Sequence, residues 1–246
     1  MMTDRGRVRV EPGAKRVRAM LDGQYVADTT TPLLVWEKPY YPTYYIPLSD
    51  IADGVLVDSG QRSKLPSRGE AVEYAVVTQA GTRPDAAYAH PESPIQELRS
   101  AVALRWDAMD HWFEEDEEVF VHPRDPYKRV DVLRSSRTVR VEIDGVTVAE
   151  SSNPTLLFET SLPTRYYLPM TDVRMDLLTP TDTVTSCPYK GDANYWSVGE
   201  RRDIAWGYRF PVRESQGIEG LVCFYNEKVD ITVDGVAGER PNTVFS

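Results

Sequence analysis

The sequence contains two related copies of one segment, and this repeat limits the possible folds more than any other feature. Residues 17–74 align with residues 139–196 at a constant shift of 122 positions, without a gap, and 17 of the 58 aligned pairs are identical. The identities include an Asp-Gly dipeptide in each copy, Asp22-Gly23 and Asp144-Gly145. The shift is far longer than the period of solenoid repeats. The sequence therefore predicts two domain-sized modules.

Each module is predicted to open with a β-hairpin. Apolar and polar residues alternate on both sides of Asp144-Gly145 within residues 139–149, and residues 17–27 repeat this pattern around Asp22-Gly23. Asp-Gly supplies the backbone angles that a two-residue turn between strands needs. The short segments that follow are rich in β-branched and aromatic residues and are broken by Pro, Gly and Asp. We predict a mainly β fold of two tandem antiparallel modules with short helices, related by a pseudo-two-fold axis.

Segments of different composition suggest where the modules begin and end. The predicted division is a basic tail over residues 1–14, a first module over 15–106, a connector over 107–137, a second module over 138–237 and a C-terminal tail over 238–246. The spacing of Met109, Trp112 and Phe113 predicts a short helix over residues 108–115 in the connector. Residues 171–177 predict one or two helical turns in the second module, with Thr171 as the N-cap.

Composition excludes several classes of function. The 246 residues include 28 Lys and Arg against 38 Asp and Glu, which gives a formal charge of −10. Because such a protein repels phosphate groups, we expect neither nucleic acid nor a membrane as a partner. Two cysteines are too few for a disulfide framework or a four-cysteine zinc site, so we expect no metal and no cofactor.

The sequence favours a cytoplasmic protein. No stretch approaches the roughly 18 apolar residues of a membrane-spanning helix. The basic start of the chain is not followed by the apolar segment that a signal peptide needs. The scarcity of cysteine is typical of a reducing compartment. The sequence leaves the oligomeric state open.

The densest group of polar and aromatic residues lies in residues 187–196. A turn after Cys187 would place this thiol at the end of one strand and Trp196 on the next, with Tyr195 on the opposite face from Trp196. Lys190 could favour the thiolate of Cys187. Cys187 could equally be a small buried apolar residue, since the first copy has Leu65 at this position.

A second candidate segment runs over residues 159–169. Arg165 could bind a carboxylate or phosphate with its two-pronged guanidinium, or it could pair with Glu159. Aromatic residues also recur at aligned positions in the two copies, and they could form core or the walls of a pocket for a flat or cationic ligand. The aligned aromatic pairs are Trp36/Phe158, Tyr74/Trp196, Tyr88/Trp206 and Trp106/Tyr225.

These residues support three hypotheses about function. The first is a small-molecule binding module with an aromatic cleft in each repeat, of which the second is better equipped. Its candidate ligand-binding residues are Glu159, Arg165, Tyr166, Asp172, Lys190, Trp196, Trp206 and Tyr225. The second is an enzyme with Cys187 or Lys190 as the nucleophile and Asp192 or Asp172 as the acid–base partner. The third is a non-catalytic scaffold or interaction protein.

Several longer strings carry a family resemblance. Residues 165–169 (RYYLP), 172–178 (DVRMDLL), 187–196 (CPYKGDANYW) and 122–129 (HPRDPYKR) resemble the family of domain of unknown function 427, in the tandem form found in actinobacteria. The resemblance implies a β-tent-like module, the fold of Mss-four-like proteins and methionine-R-sulfoxide reductases. Many β-tent relatives bind zinc through paired Cys-x-x-Cys motifs, whereas this chain has only Cys187 and Cys223. The resemblance therefore implies a fold and leaves the activity open.

Overall fold

The chain folds into two units in a computed structural model that describes residues 8–65, 67–243 and 245–246. The units comprise residues 1–125 and 126–246. In its described residues, each unit contains one seven-stranded and one four-stranded antiparallel sheet. The prediction of a mainly β chain with two tandem modules is confirmed. Residues 1–7 of the predicted basic tail lie outside the described residues.

The first unit contains eleven strands in its described part. The strands are β1 (Arg9–Pro12), β2 (Val17–Leu21), β3 (Gln24–Thr29), β4 (Leu33–Trp36), β5 (Thr43–Pro47), β6 (Leu56–Leu65), β7 (Gly69–Val77), β8 (Thr82–Ala89), β9 (Ala101–Leu104), β10 (His111–Glu114) and β11 (Glu117–Val119). The sheets run in the order β1-β4-β5-β9-β8-β7-β6 and β11-β10-β2-β3. Short 3-10 turns cover Leu48–Asp50, Gln96–Leu98 and Trp106–Ala108.

The second unit repeats this arrangement. Its strands are β12 (Val130–Arg134), β13 (Val139–Ile143), β14 (Val146–Ser151), β15 (Thr155–Glu159), β16 (Arg165–Pro169), β17 (Leu178–Cys187), β18 (Gly191–Val198), β19 (Arg201–Pro211), β20 (Leu221–Phe224), β21 (Asp230–Val233) and β22 (Val236–Ala237). The sheets run in the order β12-β15-β16-β20-β19-β18-β17 and β14-β13-β21-β22. The 3-10 segments are Met170–Asp172, Met175–Leu177 and Arg213–Ile218. The seven-stranded sheets therefore share one strand order, as duplication requires.

Both predicted hairpins are confirmed. Strand β2 pairs with β3, and β13 pairs with β14. Asp22 and Asp144 each have a φ of 51°, and the following glycines have φ values of 76° and 77°. Two successive positive φ angles define the turn that suits the right-handed twist of paired strands.

The helix predicted over residues 108–115 is wrong. After the 3-10 turn Trp106–Ala108, the chain forms β10, which pairs with both β2 and β11. Trp112 and Glu114 of β10 are buried while His111 is exposed, so burial follows strand alternation. Glu115, with a φ of 52°, begins the turn to β11. The apolar spacing spans only two turns of a helix, and pairing with β2 outweighs it.

Parts of the predicted connector and of the predicted basic tail also form strands of the sheets. Strand β12 lies within the predicted connector and pairs with β15, and β1 lies within the predicted basic tail and pairs with β4. The helical turns predicted over residues 171–177 are present as 3-10 turns. Thr171 is not an N-cap, because it lies inside the turn Met170–Asp172, whose N-cap is Pro169.

The central strands of each seven-stranded sheet are buried on both faces, whereas the edge strands β6 and β17 are largely exposed. In the second unit, one apolar layer lies between the two sheets and includes Leu168, Ala205 and Val222. The other layer lies on the opposite face of the seven-stranded sheet and includes Tyr167 and Trp206. Because strand neighbours alternate between the faces, the central strands β16, β18, β19 and β20 supply both layers. Within the described residues, no helix has the length and apolar character needed to cross a membrane.

Candidate functional site

A cavity of about 500 Å³ opens on the outer layer of the second unit. We call it the Trp206 hollow. Its walls combine aromatic rings with two ion pairs and the partly exposed thiol of Cys187. The rings are those of Tyr167, Tyr195, Trp206, Tyr208, Tyr225 and Phe245.

A row of directly opposed residues across four strands builds the floor of the hollow. Tyr167 on β16 pairs with Cys223 on β20, Cys223 pairs with Trp206 on β19, and Trp206 pairs with Tyr195 on β18. Opposed residues point to the same face of a sheet. The small Cys223 lets the larger rings on either side meet, so Trp206 Nε1 donates to the Tyr167 hydroxyl at 3.2 Å. Burial raises the pKa of the Cys223 thiol to about 12, so this thiol is protonated and acts as a spacer.

One wall of the hollow includes Arg165, which forms a buried ion pair with Glu227. Arg165 Nη1 and Nη2 lie 2.7 and 2.8 Å from the two carboxylate oxygens of Glu227. The side chains are 7% and 0% exposed. Thr243 adds a hydroxyl donor to the carboxylate at 2.7 Å. Burial opposes ionisation of Glu227, but the hydrogen bonds from Arg165 and Thr243 outweigh it and hold the pKa of this carboxyl below its ordinary value.

The guanidinium of Arg165 also lies against aromatic rings. Its carbon is 5.5 Å from the ring centroid of Trp206 and 5.6 Å from that of Phe245. Of the two alternatives for Arg165, pairing with Glu159 is wrong, because its carboxylate partner is Glu227. Both Nη groups are directed at Glu227, so this arginine shapes the wall and offers little charge to a ligand.

The second ion pair lies at the turn between β17 and β18. Lys190 Nζ is 2.5 Å from Glu159 Oε2, and both side chains are largely buried. Cys187 ends β17 beside them and is half-buried. Nearby, the hydroxyls of Thr185 and Tyr195 are hydrogen bonded at 2.8 Å. The thiol, the ammonium and two hydroxyls therefore face one hollow.

The structure brings together five of the eight residues predicted to bind a ligand. The five that line the hollow are Glu159, Arg165, Lys190, Trp206 and Tyr225. Tyr166 and Trp196 instead pack against the apolar layer between the sheets, because alternation turns them away from Tyr167 and Tyr195. Asp172 lies in the 3-10 turn Met170–Asp172 and lines a separate shallow depression.

The acid–base arrangement proposed for an enzyme is not assembled. Asp192 is exposed and accepts a hydrogen bond from Ser186 at 2.6 Å. Neither Asp192 nor Asp172 is among the residues that line the hollow with Cys187 and Lys190. The carboxylate that does accompany Lys190 is Glu159, which holds the amine as a paired ammonium.

Sequence reasoning missed Glu227, the partner of Arg165, and eight lining residues of the hollow, namely Leu157, Leu162, Tyr167, Thr185, Ser186, Tyr195, Tyr208 and Phe245. The doublet at Tyr166-Tyr167 and the alternation around Tyr195 signalled the two rings but not which face would carry the hollow. No local pattern joins Glu227 to Arg165 across 61 intervening positions.

The first unit has a hollow of about 620 Å³ that overlaps the equivalent place only in part, because its lining includes Tyr44, Leu104 and Trp112 of the apolar layer between the sheets. Glu37 and Tyr88 line it where Glu159 and Trp206 line the other. The aligned pair Trp106/Tyr225 is wrong by one position. Ala103 lies opposite Tyr45 as Cys223 lies opposite Tyr167, so Arg105 is the counterpart of Tyr225.

The shared strand order defines a class, that of a duplicated antiparallel β module with one larger and one smaller sheet in each copy. A family model described as "Domain of unknown function (DUF427)" matches residues 9–115 and again residues 131–235. The chain belongs to this family and carries its domain twice. No curated protein matches the chain.

Proposed function

We propose that the second unit binds a small, flat, organic molecule in the Trp206 hollow. The observation that carries this proposal is the meeting of six aromatic rings around a cavity of about 500 Å³. That volume falls in the range of cavities that hold small molecules, and apolar walls with a few polar groups are typical of them. Ring faces favour a planar ligand by offset or edge contacts.

The charges of the hollow support a ligand that is neutral overall. Lys190 is paired with Glu159, and Arg165 is paired with Glu227, so the four charges compensate one another. A charged ligand would lose hydration on entry and find no unpaired counter-charge to offset that cost. Polar groups of the ligand can instead share hydrogen bonds with the ammonium of Lys190 and the hydroxyl of Thr185.

A fluorescence titration tests the proposal. The full chain is titrated with a panel of uncharged planar heterocycles, together with the variants Trp206→Phe and Trp196→Phe. Trp196 is the matched control because it lies on β18 but packs on the opposite face of the same sheet. We expect a saturable change that Trp206→Phe weakens and Trp196→Phe retains. Equal responses of the two variants would count against binding in the hollow.

A further inference from the structure

The hollow of the first unit presents a different charge from the Trp206 hollow. In the second unit, the guanidinium over the central ring comes from Arg165 on β16, whose counterpart in the first unit is Thr43 on β5. In the first unit, Arg105 takes over this role from the end of β9, with its guanidinium carbon 4.8 Å from the ring centroid of Tyr88. The cation over the ring therefore comes from a different strand in each unit.

Because Arg105 follows a different strand from the one that carries Arg165, the guanidinium of the first unit is accessible to solvent. The side chain of Arg105 is 43% exposed, against 7% for Arg165. One of its nitrogens, Nη2, donates to Glu73 at 2.7 Å. The guanidinium has five N–H donors in a planar fork. Arg105 can therefore hold Glu73 and still present donors to an anion in the hollow, which a second half-exposed arginine, Arg83, also lines.

A flat aromatic surface follows Arg105 in the chain and belongs to the layer between the sheets, whereas Tyr88 belongs to the opposite layer. The ring of Trp106 lines the hollow and is stacked on Trp112, with 4.9 Å between centroids and 4° between planes. Trp112 Nε1 donates to the Trp106 carbonyl at 3.2 Å, which holds the pair in register. A platform of two rigid rings loses little conformational freedom when a third ring is placed on it.

The carboxylates of this hollow limit the charge that it accepts. Glu37 is occupied by Arg68 and by the hydroxyls of Tyr45 and Tyr88, at 2.6 and 2.9 Å. Asp85 and Asp107 also line the hollow and are exposed. Their negative charges disfavour a ligand with several charges, while solvent screening leaves a single charge near Arg105 tolerable.

We propose that the first unit binds a flat aromatic monocarboxylate, with its ring on Trp106 and its carboxylate on Arg105. This proposal does not rest on ligand binding in the Trp206 hollow, since it depends on residues of the first unit alone. It assigns the two repeats to ligands of different charge, a neutral one and an anionic one.

The test is a nuclear magnetic resonance titration of the full chain with 2-naphthoate and with its neutral analogue 2-naphthamide. The indole N–H signal of Trp106, assigned with Trp106→Phe, reports on the first hollow, and the signal of Trp206 reports on the second. We expect 2-naphthoate to shift the Trp106 signal saturably. The amide lacks the charge that pairs with Arg105, so it should bind about tenfold more weakly.

Two variants separate recognition by Arg105 from folding. Arg105→Lys keeps a positive charge beside Glu73 but removes the fork, so it should weaken 2-naphthoate binding about tenfold. Arg62→Gln is the matched control, because it removes an exposed arginine that pairs with Asp58 away from the hollow. It should leave binding unchanged. Three results would each overturn the proposal. They are equal affinity for the acid and the amide, unweakened binding of 2-naphthoate by Arg105→Lys, and no saturable shift of the Trp106 signal at about 10 mM 2-naphthoate.

Discussion

The ion pair between Arg165 and Glu227 offers the sharpest energetic test of the second hollow. The variant Arg165→Met keeps most of the side-chain volume and removes the charge. Glu227 is then fully buried with the Thr243 hydroxyl as its remaining side-chain donor. Removing one partner of a buried pair typically costs about 3–5 kcal/mol. That is a large fraction of the roughly 5–15 kcal/mol that stabilises a domain.

A second substitution separates the cost of leaving the Glu227 carboxylate buried and unpaired from the cost of lost packing. In Arg165→Met/Glu227→Leu, no charge remains buried, so we expect most of the stability to return. The double variant should be within about 1–2 kcal/mol of the unchanged protein, since apolar replacement of buried pairs is often neutral. Urea unfolding, read by hydrogen exchange of peptides from β16 and β20, measures the free energy of unfolding. Peptides from the first unit serve as the internal control.

The pH dependence of the destabilisation by Arg165→Met tests the same reasoning independently. The pKa of Glu227 is lowered in the folded protein, so its contribution is present above the unfolded pKa and is lost as pH falls through the folded pKa. In Arg165→Met, burial without the arginine raises the pKa instead. The destabilisation should therefore shrink as the solution is acidified and Glu227 becomes neutral. Equal destabilisation of single and double variants, or a cost independent of pH, would refute this reasoning.

Three further predictions concern the same unit. Iodoacetamide should label Cys187 and spare Cys223 at about pH 8, because burial raises the pKa of the Cys223 thiol to about 12; comparable labelling by mass spectrometry would contradict this. Phe245→Ala should speed the labelling of Cys187 severalfold, because it removes a wall of the hollow. The control Phe210→Ala changes a ring that is 86% exposed and should leave the labelling rate unchanged. Equal rates in both variants would exclude this role for Phe245. Gly207→Ala should destabilise the unit by about 1–3 kcal/mol, because its Cβ would lie 2.5 Å from a carbonyl oxygen of β20; an unchanged thermal unfolding temperature would disprove the clash.

The parts of the fold that local chemistry determines could be predicted from sequence. The hairpins at Asp22-Gly23 and Asp144-Gly145 follow from two residues that accept positive φ angles. The prediction of a helix over residues 108–115 failed because eight residues with a short apolar spacing also suit a strand. Only the pairing of β10 with β2, from the start of the unit, decides between the two.

The candidate site could be predicted only in part, because both faces of the central strands of the seven-stranded sheet are buried. Alternation correctly separated Tyr195 from Trp196, but the hydrophobicity of the strand does not say which face carries the hollow. The sequence alignment placed Trp106 opposite Tyr225, one residue away from the true counterpart Arg105. Such a register error of one residue assigns a side chain to the wrong face of the sheet. The pairing of Arg165 with Glu227 depends on the finished fold and has no local signal.

The proposed binding in the Trp206 hollow is tested most directly by fluorine nuclear magnetic resonance of the chain labelled with 5-fluorotryptophan. The five tryptophans give separate reporters in one spectrum, and single Trp→Phe variants assign them. During titration with the panel of uncharged planar heterocycles, we expect at least one compound to shift the Trp206 resonance saturably and to leave Trp196 in place. A panel that never shifts Trp206, or that shifts Trp196 equally, would contradict the account.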